Sequence, residues 1–159
     1  MEVDLNLKLE KSSRTNWGCC CSYFEYTEEI GFKVFSDVDD AVESQKAQKI
    51  AFSYGVGPEV FSEVFFIRKG FKSYSEWINA WGYFTENCIV RSTDDDYNET
   101  WYMNYGLCGG AMSDLFDELQ AAGFSGSDFH SNNVGIRRST QTLVCIDFDP
   151  YHSPYEGKE

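Results

Sequence analysis

Apolar and polar residues alternate along VDLNLKLEK, where Val3, Leu5, Leu7 and Leu9 take every second position. A period of two puts those side chains on one face of a β-strand. CCCSYFEY and IGFKVF read as two further strands, with YTEE between them as a hairpin loop, and SSRTNWG reads as a turn-rich connector. The chain therefore opens as a three-stranded antiparallel meander. The period changes at Ser36, and SDVDDAVESQKAQKIAFSYG reads as a helix. Ser36 is the expected N-cap, with Asp39 three residues on as an approximate capping box. Asp37, Asp39 and Asp40 suit the positive end of the helix dipole, and Gly55 suits a left-handed cap at the other end. Ala47, Ile50, Ala51 and Tyr54 form an apolar stripe at helical spacing. Glu43 precedes Ala47 by four and Ile50 by seven, so it falls on the same inward row. A carboxylate there is costly unless a cation partners it.

GVGPEV then breaks the chain with Gly and Pro. EVFSEVFFIRKG reads as a strand, and GYFTENCIVR as another after the aromatic stretch YSEWINAW. STDDDYNETW is an acidic loop. CGGAMSDLFDELQAAGF reads as the second helix, with Cys108, Met112, Leu115, Phe116 and Leu119 inward, Asp114, Asp117 and Glu118 outward, and Gly123 as cap. NNVGI and TLVCIDF read as a hairpin joined by RRSTQ, and PYHSPYEGKE as a coil tail. The order is β-β-β-α-β-β, then a helix, a polar loop and a hairpin, an α+β arrangement with an antiparallel sheet.

Length and composition narrow the picture. A chain of 159 residues makes one compact unit or two small lobes. Its 42% hydrophobic and 17% aromatic content argues against disorder. Twenty-six acidic against 13 basic residues give −13, which excludes non-specific nucleic-acid binding, because that needs cationic surface. The charge serves solubility or an acidic face that docks on a basic protein. The six cysteines follow no secretory leader, so a reduced, cytoplasmic chain is expected. CCC at 19–21 is not a zinc spacing, since neighbouring strand residues point to opposite faces. No run of 18 apolar residues offers a membrane span.

Candidate chemistry lies in five residues. Transfer of a nucleotide's phosphoryl group uses a lysine on the phosphates and a carboxylate that steadies it. It also uses an aspartate at the acceptor hydroxyl, and an asparagine and aspartate on Mg²⁺. Lys33, Glu43, Asp128, Asn133 and Asp147 occur in that order. Each has an ordinary reading too: Lys33 as an edge-strand lysine, Glu43 as a helix-surface residue, Asp128 and Asn133 as turn formers. Asp147 is harder to set aside, because it follows the apolar strand LVCI, where a carboxylate calls for a partner or a metal.

With these residues in place, the chain resembles the protein-kinase-like superfamily, and its aminoglycoside phosphotransferase and choline kinase branch most. GFKVF resembles the strand that carries the lysine. GVGPEVF resembles the Gly-x-x-Pro segment after the helix, SDFHSNN the catalytic loop, and IDFD the metal-binding triplet. The resemblance spans about residues 5–150. It implies a two-lobed fold, with residues 1–90 as an N-lobe of antiparallel sheet plus one helix and residues 91–159 as a much reduced C-lobe. It implies ATP and Mg²⁺ as cofactors. Lys33 and Glu43 would clamp the phosphates, Asp128 would be the catalytic base, and Asn133 and Asp147 the metal ligands. SSRTNWG departs from the family's glycine-rich loop in offering only Gly18, and only ten residues follow Asp149, where the family builds its acceptor platform. Three functions follow as expectations: a minimal ATP-dependent phosphotransferase, a catalytically inactive pseudokinase, or an acidic inhibitor that docks on a basic host enzyme. Small chains of this style resemble bacteriophage products, which would place it in the host cytoplasm.

Overall fold

The computed structural model describes residues 15–17, 21–73, 76–91, 99–125 and 133–148. The expected strand over residues 3–9, the catalytic loop with Asp128, and the tail lie outside them. Seven strands and two α-helices are described: β1 (Thr15–Trp17), β2 (Cys21–Glu25), β3 (Ile30–Phe35), α1 (Val38–Ser53), β4 (Phe65–Ser73), β5 (Glu76–Glu86), α2 (Ala111–Ala122), β6 (Val134–Ile136) and β7 (Leu143–Cys145). A 3₁₀ helix, Trp101–Tyr105, precedes α2. The fold is α+β, with a five-stranded antiparallel sheet ordered β1-β2-β3-β5-β4 and a two-stranded sheet of β6 and β7. Among the described residues no helix is long and apolar enough to cross a membrane.

The chain separates into two compact units, Met1–Gln45 with Val60–Asn87, and Lys46–Glu59 with Cys88–Glu159. In the first, β3 is central and is buried on both faces, which explains a strand that reads apolar almost throughout. Phe32 and Val34 join Phe24, Ile67 and Ala80 in one cluster. Phe35 joins Tyr83 and Ala41 of α1 in another. The β2–β3 turn is an ST-turn, in which Thr27 Oγ1 accepts from the amides of Glu29 and Ile30 at 3.2 and 3.0 Å. Asn87, at the end of β5, holds that turn. Its Nδ2 donates to the carbonyls of Thr27 and Glu28, and its Oδ1 accepts from the Tyr23 hydroxyl. The Tyr23 ring lies across Gly31, where a Cβ would collide with the phenol.

The second unit is built on an apolar core. Ala47, Ala51 and Val56 join Trp101, Tyr102, Leu115, Leu119, Phe124, Val134 and Phe148 there. The β6–β7 hairpin is bound on both flanks. Ile89 exchanges two backbone hydrogen bonds with Ile136, and the Cys145 amide donates to the Val56 carbonyl at 2.9 Å. Gln141 takes a left-handed conformation in the 137–142 turn, with φ of 55°. α2 runs as its periodicity predicts, with Leu115, Leu119 and Ala122 buried and Asp114, Asp117 and Glu118 exposed. Gly123 caps it at φ 106°.

Several expectations need correction. Thr15–Trp17 inside SSRTNWG is a strand, not only a connector, because backbone pairing with β2 outweighs its turn-prone composition. β4 and β5 are displaced: β4 runs to Ser73 and β5 begins at Glu76, inside the aromatic stretch. Cys108 precedes α2 and is exposed rather than inward. The cap of α1 is Asp37 and not Ser36, since the Asp37 carboxylate accepts from the Asp39 and Asp40 amides at 2.8 and 3.2 Å. Gly55 does close the helix, at φ 75°, with the Val56 amide bonded to the Ala51 carbonyl and the Gly55 amide to the Phe52 carbonyl.

The inward face of α1 also lies elsewhere than its apolar residues indicate. Ala41, Ser44, Gln45, Ala47, Gln48 and Ala51 are buried, whereas Tyr54 is 47% exposed and Glu43 is exposed. At 100° per residue, Glu43 sits just outside the buried arc. Half of that arc is polar and bonded. Gln45 donates to the Ser62 carbonyl at 2.8 Å, and Gln48 to the Pro58 carbonyl at 3.1 Å.

Candidate functional site

Lys33 is 5% exposed on the central strand, and so is not an edge-strand lysine. Strand register sets it between Tyr23 of β2 and Tyr83 of β5. Alternation turns it to the same face as Tyr83 and Phe35. Its ammonium lies 6.0 Å from the centre of the Tyr83 ring. Tyr83 in turn meets Ser44 of α1, with 3.5 Å between the two hydroxyl oxygens. Burial pushes the Tyr83 phenol above its ordinary value, while the nearby Lys33 charge and the Ser44 hydroxyl pull it back in part. The phenol therefore stays protonated and neutral.

Glu43, expected beside Lys33, projects from the exposed side of α1. It forms no ion pair with Lys33 among the described residues. Ser44, the next residue, is the one that enters the buried polar cluster.

In the second unit the hairpin carries Asn133 and Asp147. Val134 pairs with Cys145, so Asn133 stands opposite Ile146, and its carbonyl accepts from the Ile146 amide at 2.8 Å. Asp147 is the next residue along. The register thus brings the two to one end of the hairpin. Asn133 is 6% exposed and Asp147 is half-buried. Two contacts fix the backbone at Asp147. The Cys145 thiol donates to its carbonyl at 3.3 Å, and Phe148 is buried edge-on against Phe124 at 5.7 Å between ring centres. A buried aromatic next to a half-exposed carboxylate sets where that carboxylate emerges.

Both residues offer hard oxygen donors, which suit Mg²⁺, a cation that keeps several waters and needs only one or two carboxylates from a protein. Among the described residues there is no group of three or more His, Cys, Asp or Glu side chains that could hold a metal ion. Asp128 and Asp149 fall outside those residues.

Tyr83 and Ser44 were not legible as site residues. The signal available was Lys33 itself, a lysine inside the apolar run IGFKVF, which announces a buried cation that needs a partner. Which residue faces it across the sheet depends on β3–β5 pairing across some 50 residues of sequence, and no local pattern encodes that pairing.

No family model matches the chain, and no curated protein is similar to it. Among solved structures it is similar to WbdD, crystallised with the kinase inhibitor LY294002, at 17% identity and a TM-score of 0.40. The alignment covers 86% of this chain and 32% of that one, so the chain spans about a third of the length of that neighbour.

Proposed function

We propose that this chain is a minimal kinase-like protein that binds Mg²⁺–ATP, with Asn133 and Asp147 as the metal ligands and Lys33 as the cation on the phosphates. The observation that best supports this is the hairpin register, which brings an amide and a carboxylate to one strand end and anchors the carboxylate with buried Phe148. The order of parts agrees: a strand with a buried lysine, a helix directly after it, a second helix, and then the hairpin. Mg²⁺ would neutralise phosphate charge, and the chain's own residues would orient the nucleotide. Asp128 would take the proton of an acceptor hydroxyl, and the acceptor would be a basic protein drawn to a −13 surface.

Nucleotide binding without transfer is the second reading. The exposure of Glu43 favours it, because the helix carboxylate of the phosphate clamp is not on the buried face.

Thermal unfolding with and without millimolar Mg²⁺–ATP tests the proposal. Nucleotide at a hundred times its Kd stabilises the folded state by about 2.7 kcal/mol. Asp147→Asn should abolish the shift, and so should EDTA. A wild-type melting temperature unmoved by Mg²⁺–ATP sinks both readings. A shift without label transfer from ATP to any protein of a lysate leaves the binding-only form.

A further inference from the structure

The chain has three methionines, Met1, Met103 and Met112, and the two internal ones flank Cys108 closely on either side. In the second unit the 3₁₀ helix Trp101–Tyr105 ends at Gly106, in a left-handed conformation at φ 88°, and α2 begins at Ala111. The link between them carries Cys108, Gly109 and Gly110, and its backbone is pinned. The Tyr102 hydroxyl donates to the Gly109 carbonyl at 3.1 Å, the Ala111 amide to the Cys108 carbonyl at 3.1 Å, and the Asp114 amide to the Gly110 carbonyl at 3.0 Å. Two sulfurs meet this link. A Cβ on Gly109 would lie 3.7 Å from Met103 Sδ, and a Cβ on Gly110 would lie 4.0 Å from Cys108 Sγ. Met112 follows Cys108 by four residues, in the first turn of α2, a spacing that stacks side chains along one face. It is half-buried. Cys108 is an exposed free thiol, and Met103 is 49% exposed although methionine is among the residue types most often buried. An exposed thioether near an exposed thiol adds nothing to the core, but both sulfurs stay open to a ligand.

We propose that Met103, Cys108 and Met112 form a binding site for Cu(I). A thiolate and two thioethers are soft donors, which select Cu(I). Mg²⁺ takes oxygen ligands, and zinc sites use Cys, His and carboxylates rather than thioethers. On binding, the Cys108 S–H gives its proton to water and a Cu–S bond forms. The thiolate charge cancels that of the ion, and no electron is transferred. The three donors come from the 3₁₀ helix, the link and α2, so the ion would tie these elements together. The proposal does not rest on nucleotide binding.

NMR of the full chain labelled at its methionine methyls tests it, with Cu(I) added stepwise to two equivalents under argon. Each methionine gives one signal. The Met103 and Met112 methyls should shift together over the same equivalent of copper, and Met1 should not move. Mg²⁺ should move none of them. Cys108→Ser should lose both shifts and keep the wild-type melting temperature, because the side chain is exposed. Met103→Leu, which keeps the bulk, should lower the Cu(I) affinity measured against a competing chelator. Unmoved Met103 and Met112 signals at two equivalents, as when the cysteine run at 19–21 takes the copper, overturn the proposal. So does a shift of only one of the two, an equal shift at Met1, a Cu(I) affinity unchanged in Met103→Leu, or shifts that survive in Cys108→Ser.

Discussion

The two α-helices solve the same problem by different means. α2 buries Leu115, Leu119 and Ala122 and turns Asp114, Asp117 and Glu118 to solvent, so its contribution is apolar area removed from water. α1 buries Ala41, Ala47 and Ala51 together with Ser44, Gln45 and Gln48. Three small residues bury little area. What orients α1 is a row of directional bonds, to the carbonyls of Ser62 and Pro58 and to the Tyr83 hydroxyl. An apolar face tolerates rotation and sliding by a few degrees, whereas a face held by amide and hydroxyl groups fixes one angle. The helix with the polar inward face is the one that braces Tyr83 beside Lys33.

Three substitutions test this contrast. Leu119→Ala strikes the apolar device and should cost about 2–5 kcal/mol in urea unfolding. A loss below 1 kcal/mol would mean that the α2 face is not a packed core. Gln48→Ala strikes the directional device, because the buried Pro58 carbonyl loses its Gln48 donor. It should cost about 1–3 kcal/mol, and hydrogen exchange should rise over residues 46–59. Unchanged exchange there would show that the bond to Pro58 does not orient α1. Gly55→Ala should be the mildest. Nothing lies within 4 Å of where a Cβ would sit, so the penalty is only that of a left-handed backbone, about 1 kcal/mol. A larger loss would place a packing role on Gly55.

The same contrast explains what the sequence disclosed. α2, its glycine cap and the β6–β7 hairpin are readable, because their apolar residues recur at the right period and the ends carry turn formers. That Asn133 and Asp147 fall at one end of the hairpin follows from the hairpin pattern alone. The phase of α1 was not readable from apolar periodicity. Its true inward residues include two glutamines and a serine, and the apolar Ile50 and Tyr54 lie at its margin or outside it. Glu43 was misplaced by that phase error, which spans less than half a turn. Asp37 displaced Ser36 as cap because both residue types cap well, and only the backbone decides between neighbours. β5 hid its start because Trp77 and Ile78 sit in a stretch with no polar alternation to mark a boundary.

The bare position at Gly31 governs the error that hydrophobic patterning cannot prevent. If β2 slipped by one residue against β3, every side chain would change face, and burial would oppose it. A slip of two residues keeps every side chain on its own face, so burial hardly resists. Tyr23 would then lie over Glu29 or Lys33 instead of Gly31, and its hydroxyl would part from Asn87. A missing side chain thus acts as a steric checkpoint on strand alignment. Because Lys33 lies two residues from Gly31, the same checkpoint sets Lys33 as the residue of β3 that pairs with Tyr23.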